Sequence, residues 1–384
     1  MSEPTVPAAS AESTFSQVLS ARPSGLPSGI IGAGFMGEVH ARAIRSAGGR
    51  VAAVAVGSKE GSAAAAARLG ADWGAPSAQA LIASPSVEVV HICTPNHTHA
   101  ALARAALDAG KHVICEKPLA TTVEDARDLV ERADVAGLVC AVPFVYRYYP
   151  TVREARARLE TGELGAVHLM HGSYLQDWLA EPGDQNWRVD PALGGASRAF
   201  ADIGVHWCDL VEFVSGHRIT TLVARIKTAI PGRSVGGVIQ PVKTEDAAAV
   251  VFETDRGAIG SLVVSQVTPG RKNRLWFTID AGAASLSFDQ ELPETLWMGR
   301  RDGVELLQRG ASLRSPDAQR MTVVPAGHPQ GYQDCFNTLV SDVYRSATGQ
   351  GATGMPTFSD GLRAARLTEA VLESAASGRW VGVS

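Results

Sequence analysis

Between Ser28 and Gly37 the chain reads Ser-Gly-Ile-Ile-Gly-Ala-Gly-Phe-Met-Gly, and this stretch constrains the fold more than any other. A short apolar strand end runs into Gly32-x-Gly34-x-x-Gly37, and a helix is predicted to follow through about Ala47. Gly32 permits a tight turn, Gly34 lets backbone approach a pyrophosphate, and Gly37 lets the helix pack closely on the strand. The helix start then offers free N–H groups and a positive dipole end to phosphates. Three spaced glycines alone occur in many unrelated chains. A strand before them and a helix after them make a dinucleotide turn in a parallel α/β sheet.

The strands that follow agree with this. A second strand over Val51 to Val56 ends in Gly57-Ser58-Lys59 rather than in the carboxylate that holds an unphosphorylated adenosine ribose. Ser58 has a hydroxyl to donate and Lys59 a charge for a 2′-phosphate, so the pattern leans toward NADP or toward use of both cofactors. An Ala-rich helix over Gly61 to Leu69 follows. A third run, Val87 to Cys93, leads into Thr94-Pro95-Asn96-His97-Thr98-His99 and a helix from about Ala100 to Ala109. No carboxylate or cysteine accompanies His97 and His99, so a metal is not expected; helix capping and lining of the cofactor cleft are. A fourth run, Lys111 to Cys115, is a buried strand whose carboxyl end carries Glu116-Lys117-Pro118. Open α/β sheets bind ligands at the carboxyl ends of their strands, and Pro118 gives a fixed turn that aims Lys117. A helix over Val123 to Val135 and a strand over Leu138 to Pro143 complete the series.

After Pro150 the texture changes. A helix over Thr151 to Glu160 leads to strands near Val167–Leu175, Ile219–Ile230, Ala247–Thr254, Ala258–Val267, Leu275–Ala281 and Ala284–Phe288. Tight links such as Asp255-Arg256-Gly257 make neighbouring strands antiparallel. Helices at about Gln330–Ala347 and Asp360–Ser377 close the chain. The expected organisation is therefore a leader over residues 1–27, disordered by its Ala, Ser and Pro content, a dinucleotide-binding domain over 28–146, and an α+β domain over 147–384. The second domain carries a large, mostly antiparallel sheet with helices on one face and the other face open for a partner subunit.

Taken in order, Gly32-Ala33-Gly34-Phe35-Met36-Gly37, Thr94-Pro95-Asn96, Glu116-Lys117-Pro118, Tyr146-Arg147 and Asp202-Ile203-Gly204-Val205-His206-Trp207-Cys208-Asp209 resemble the glucose–fructose oxidoreductase/inositol dehydrogenase (Gfo/Idh/MocA) family. The resemblance covers nearly everything from residue 28 onward. It implies a Rossmann domain, a C-terminal sheet domain, a nicotinamide cofactor (NAD, in some relatives tightly bound, or NADP), and homodimers or homotetramers formed through the sheets. It places Gly32, Gly34, Phe35, Met36, Gly37, Thr94, Pro95, Asn96, His99, Glu116 and Lys117 at the cofactor. Where relatives specific for NAD often carry Asp, this chain has Gly57-Ser58-Lys59.

The residues support the chemistry on their own account. Asp202, His206 and Asp209 are spaced to share one helix face. Gly204 costs that helix about 1 kcal/mol relative to Ala, which a closely approaching ligand would explain. Removing hydride from a secondary alcohol needs a base for the hydroxyl proton, and histidine titrates nearest neutrality. Lys117 stabilises the alkoxide as it forms, and Asp202 orients the imidazole of His206 or shares its proton. On the substrate side, Asp177-Trp178 and Asn186-Trp187-Arg188 lie in an irregular polar stretch. There tryptophan faces suit the apolar faces of sugar rings, core packing being their competing role. Gly327-His328-Pro329-Gln330-Gly331-Tyr332 closes over the same cleft, and Arg147, Arg188 and His328 together would welcome an anionic or heavily hydroxylated sugar.

The leading expectation is an NAD(P)-dependent oxidoreductase acting on a ring hydroxyl of a sugar, glycoside, anhydrosugar or inositol. The alternative is a redox-neutral, NAD-dependent glycoside hydrolase that oxidises, eliminates, hydrates and reduces with the same residues, on an acidic glycoside such as a sulfoquinovoside. A catalytically silent sugar sensor is the third class, disfavoured by the presence of both Lys117 and His206. A net charge of −4 over 384 residues points to neither nucleic acid nor an anionic membrane. No apolar run approaches the ~20 residues of a membrane span. Five scattered cysteines without a CxxC suit a reducing cytoplasm.

Overall fold

The structure, a computed structural model, describes residues 25–383. The expected leader lies largely outside the described residues, and Pro27 already belongs to the first strand. The first layer alternates β1 (Pro27–Ile31), α1 (Phe35–Ser46), β2 (Arg50–Ala55), α2 (Lys59–Leu69), β3 (Trp73–Gly74), β4 (Val89–Ile92), α3 (His99–Asp108), β5 (His112–Cys115), α4 (Val123–Ala136) and β6 (Cys140–Ala141). The strands form one parallel sheet in the order β3-β2-β1-β4-β5-β6. Ile30, Val54, Val89, Val90 and Ile114 are fully buried, as expected of strands covered on both faces. The order reverses between β1 and β4, and this opens a crevice at their carboxyl ends. Gly32 (φ +97°) turns the chain there, and a Cβ on Gly37 would collide with the Gly32 carbonyl.

After α5 (Pro150–Glu160), the second sheet gathers β7 (Val167–Leu175), β8 (Ile219–Lys227), β11 (Ala247–Thr254), β12 (Ile259–Ser265), β13 (Arg274–Ala281), β14 (Ser285–Asp289), β15 (Thr295–Arg300), β16 (Gly303–Gln308) and β17 (Val381–Gly382). A separate hairpin, β9 (Gly232–Val235) with β10 (Val238–Pro241), precedes β11. The order is β16-β15-β14-β13-β7-β12-β11-β8-β17, antiparallel throughout except where β7 meets β12. One face carries α6 (Val205–Ser215) and the last helix; on the other, Val251, Ile259 and Val263 project exposed from β11 and β12. The two final helices, α7 (Tyr332–Ala347) and α8 (Phe358–Ser377), pack back on α1 and α4 respectively, so the end of the chain ties both sheets together.

Several boundaries differ from expectation. The strand expected over Leu138 to Pro143 shrinks to Cys140–Ala141, because Pro143 and Phe144 turn the chain into a short 3-10 helix over Val145–Tyr148. The strand expected from Ile219 to Ile230 ends at Lys227. The hairpins β9–β10 and β15–β16 were not anticipated. Much of β10 and β16 is exposed, so an alternating apolar pattern is weak there.

Gly172 in β7 gives the clearest packing constraint. Trp207 of α6 is fully buried and donates from Nε1 to the Trp276 carbonyl at 2.8 Å, across the space that a Cβ on Gly172 would take. Gly172→Ala is therefore expected to cost about 1–3 kcal/mol by overpacking. Urea denaturation measures this, and an unchanged midpoint would mean that Trp207 does not seat on that strand.

Candidate active site

A cavity of about 1110 Å³ opens at the carboxyl ends of β1, β4 and β5 and extends onto the second sheet. Its inner end is made of Gly32 and Gly34 from the glycine turn, Phe35 and Met36 from the first turn of α1, and Gly57 after β2. A Cβ on Gly34 would meet nothing within 4 Å, so the backbone here is bare toward the cavity, as a pyrophosphate requires. Gly37 does not line the cavity and serves the packing of α1 on the turn. These residues fit a dinucleotide. Ser58 and Lys59 are exposed and outside the cavity lining. The Ser58 hydroxyl accepts from Gly61 N at 3.0 Å and caps α2, which leaves its proton free to donate.

The middle of the cavity is lined by Thr94, Pro95, Asn96, His99, Glu116 and Lys117. His97 is exposed while His99 is buried, so the two rings diverge. His99 instead ties two strand ends together, with Nδ1 2.7 Å from the Pro118 carbonyl and Nε2 2.8 Å from that of Thr94. Among the described residues no group of three His, Cys, Asp or Glu side chains is placed to hold a metal.

Lys117 follows β5, and its bond to Pro118 is cis. Its Nζ donates to the Asp202 carboxylate at 2.5 Å and to the Asp202 carbonyl at 2.9 Å. Asp202 also accepts from Gln266 Nε2 at 2.7 Å and lies 3.4 Å from Arg188 Nε. Burial alone would raise its carboxyl, but the Lys117 and Arg188 charges outweigh burial and hold it well below the usual carboxylate range. Asp202 lies in a π-helical turn, Phe200–Gly204, that leads into α6 and its second residue His206. Burial first, then the Lys117 charge, push the His206 ring well below the ordinary histidine value of 6.5, against the pull of Asp202. The ring is neutral at neutral pH and thus able to accept a proton.

Asp202 does not orient His206 by a hydrogen bond, contrary to expectation. The His206 ring is set by aromatic packing: Tyr146 and Phe144 meet it edge-on with centroids at 5.1 and 5.5 Å, and its Nδ1 is buried without a partner. Asp209 also leaves the expected face. Its carboxylate forms an ion pair with Arg147, which in addition binds Asp360 at 2.8 Å. Arg147 is therefore buried in the scaffold and does not line the cavity. Its expected role at the substrate is not supported, because burial and the two carboxylates hold its guanidinium away from the cavity. At Gly204 a Cβ would strike the Phe200 ring, which by itself accounts for the missing side chain.

The outer wall joins expected and unexpected residues. Trp178, Trp187, Arg188 and Tyr332 line the cavity as expected, and Asn186 lies beside them. Trp178 and Trp187 are half-buried rather than core residues. Trp178 is anchored by donation from Nε1 to Gln176 at 2.7 Å, and Trp187 carries the Arg188 guanidinium 4.4 Å from its ring centroid. Asp177 points away to Lys272 at 2.7 Å and is not part of the lining. His328 is exposed beyond the cavity; its carbonyl accepts from Arg309 at 2.6 Å. Reasoning from sequence missed Tyr174, Gln176, Gln266 and Asn273, and gave Tyr146 no role of its own. Asn273 donates to Tyr146 at 3.2 Å, Tyr146 and Tyr174 meet at 2.5 Å, and Tyr174 donates to Asn273 at 2.8 Å. The only consistent arrangement has Tyr146 donating to Tyr174, a closed ring that fixes every hydroxyl. Gln176 and the sequence neighbours of Tyr146 were the available hints; Asn273 offered none. Across the lining, Lys117 and Arg188 are balanced by Glu116 and Asp202.

Comparison with known proteins agrees with this geometry. The model of the oxidoreductase family with NAD-binding Rossmann fold (GFO_IDH_MocA) matches residues 26–144, and that of the GFO/IDH/MocA C-terminal domain matches residues 152–285. Levoglucosan dehydrogenase of Pseudarthrobacter phenanthrenivorans is 31% identical across 92% of this chain and 97% of its own length. Inositol 2-dehydrogenase 2 of Saccharopolyspora erythraea is 30% identical across 91% and 93%. A solved levoglucosan dehydrogenase complex with NADH and levoglucosan superimposes with a TM-score of 0.87 at 31% identity, covering 94% of this chain and 99% of that one. An oxidoreductase domain protein from Kribbella flavida gives 0.87 at 32%, with 94% and 100% covered. With both halves matched and the dinucleotide turn, Lys117 and His206 lining one cavity, this chain belongs to the Gfo/Idh/MocA oxidoreductase family, built on an NAD-binding Rossmann fold.

Proposed function

We propose that the protein is an NAD(P)-dependent dehydrogenase that oxidises a ring hydroxyl of an uncharged sugar, anhydrosugar or inositol. The observation that carries this reading is a single cavity holding the dinucleotide turn at one end, Lys117, Asp202 and His206 in the middle, and a wall of tryptophan, tyrosine and amide side chains at the other. The balanced charges favour a neutral polyol over an acidic sugar, since Arg147 and His328 are not available to bind an anion. The relatives named for levoglucosan and inositol support the same substrate class. The cofactor, when bound, accepts the hydride. Neutral His206 takes the hydroxyl proton, and Lys117, held by Asp202, donates a hydrogen bond to the alkoxide oxygen as its charge develops. Trp178 and Trp187 present ring faces to the apolar face of the sugar.

Because no carboxylate follows β2 before Glu60 and Lys59 is exposed, we place both NAD and NADP within reach of the adenosine end. Lys59→Asp is expected to shift preference toward NAD, since a carboxylate repels a 2′-phosphate and favours free ribose hydroxyls. An unchanged NAD/NADP ratio of kcat/KM would make Lys59 a bystander. We also place a second copy against the open face of the second sheet, where Val251, Ile259 and Val263 are exposed; light scattering returning the mass of one chain would exclude it. No helix among the described residues is long and apolar enough to cross a membrane.

Incubation with a panel of sugars, anhydrosugars, inositols and aryl glycosides tests the activity, with reduced nicotinamide and released aglycone followed together. A dehydrogenase accumulates reduced cofactor in proportion to product, whereas aglycone release without net reduction would transfer the assignment to a redox-neutral glycosidase. On the best substrate, Lys117→Ala and His206→Ala are each expected to lower turnover by at least ~10², and the double variant far less than the product of the two. The acid limb of kcat/KM is expected below the ordinary histidine value of 6.5, since the His206 ring is held down. Asp202→Asn removes a charge that raises that ring, so the limb moves lower still; Lys117→Ala removes one that lowers it, so the limb moves up. Near-normal turnover in His206→Ala would overturn the base assignment.

A further inference from the structure

Behind Lys117 runs a line of buried polar groups that the chemistry above does not use. Glu116 Oε1 lies 3.1 Å from His40 Nε2, His40 Nδ1 lies 2.9 Å from His91 Nδ1, and His91 Nε2 lies 3.4 Å from the Tyr344 hydroxyl. Tyr344 in turn meets Ser28 at 2.5 Å. Ser28, His40, His91 and Tyr344 are fully buried, each on a different element: β1, α1, β4 and α7. Apolar side chains would fill this volume without the desolvation cost of buried polar groups, so the chain's use has to be found at its end.

That end is a carboxylate on the cavity wall. Glu116 lines the cavity, and its Oε2 accepts from the Lys117 backbone N–H at 3.3 Å. An ionised carboxylate only accepts, so His40 Nε2 must donate to it. Beyond His40 the contacts continue through His91 and Tyr344 to Ser28, whose hydroxyl also lies 3.4 Å from the Leu26 carbonyl. Burial would raise the Glu116 carboxyl, but the His40 hydrogen bond and the charges around it hold it below the usual range. The line stops at Ser28, which is fully buried, so it orients groups and does not carry protons to solvent.

We propose that Glu116, His40, His91 and Tyr344 form a positioning chain that fixes the Glu116–Lys117 backbone and so aims the Lys117 ammonium at Asp202 and the substrate oxygen. The inference rests on Lys117 acting in the reaction as proposed above. It makes His40 and His91 positioning residues of the first domain, and it ties α7 to the lysine at one end while Tyr332, at the start of the same helix, meets the cavity.

The test compares His40→Leu, His40→Gln and isosteric Glu116→Gln, each alone and with Lys117→Ala, on the best substrate of the panel. His40→Leu and Glu116→Gln are expected to lower kcat roughly tenfold or more, as small misplacements of reacting groups do, with KM for the sugar nearly unchanged. His40→Gln, which keeps one donor and one acceptor, is expected to restore most of the loss. Adding His40→Leu to Lys117→Ala should cost little further. Should His40→Leu fail to fold, Glu116→Gln carries the same expectations. Independently of activity, nitrogen-15 NMR should find a proton on Nε2 of His40, where it meets the Glu116 carboxylate. Unchanged kcat in Glu116→Gln, losses that multiply with that of Lys117→Ala, or a His40 with no proton on Nε2 would each overturn the positioning chain. Full turnover in Lys117→Ala alone would instead overturn the functional reading on which it rests.

Discussion

The contact between Lys117 and Asp202 is the constraint around which the site is arranged. Each side chain is only 13% exposed, and the two come from the first sheet and from the turn entering α6, 85 residues apart. A buried ion pair is weak evidence for stability, because desolvation offsets much of the attraction. Its value here is geometric: it brings the lysine to the helix that carries His206, whose ring is held below its ordinary value by burial first and then by the Lys117 charge. Arg188 and Gln266 take up the remaining capacity of the Asp202 carboxylate, so the group is held from three directions, by β5, the Arg188 segment and the end of β12.

The surrounding scaffold serves this contact through packing. The π-helical turn Phe200–Gly204 places Asp202 and His206 on the cavity while Asp209 turns to Arg147. Phe200 lies against Gly204, and a side chain there would displace it. Beyond the turn, Trp207 sits under Gly172 and fastens α6 to the second sheet. Arg147 holds Asp209 and Asp360 together and so pins α6 to α8. The substrate wall stands on these fastenings: Tyr174 and Gln176 come from β7 and the residue after it, and Asn273 from the segment before β13.

Features that depend on a few consecutive residues were legible without coordinates. Gly32, Gly34 and Gly37 encode a turn because each meets a local steric demand, and Glu116-Lys117-Pro118 and Asp202 to His206 place reactive groups at strand and helix ends within single short segments. The alternation of strands and helices up to Tyr146 likewise announces a parallel sheet, since a run buried on both faces differs in composition from the amphipathic helix that covers it.

What depends on partners far along the chain was decided only by the tertiary structure. Nothing near Arg147 tells that Asp209 and Asp360, 62 and 213 residues on, consume its charge, or that His328 ends outside the cavity. Tyr146, Tyr174 and Asn273 look ordinary in sequence and become one hydrogen-bonded ring only when β7 pairs with β13. The line from Glu116 to Ser28 is equally invisible, because it joins four elements and the residue after β5 through single side chains. A residue's chemistry is read from its type and its neighbours in sequence; whether its charge or hydroxyl is free is settled by what the fold packs against it.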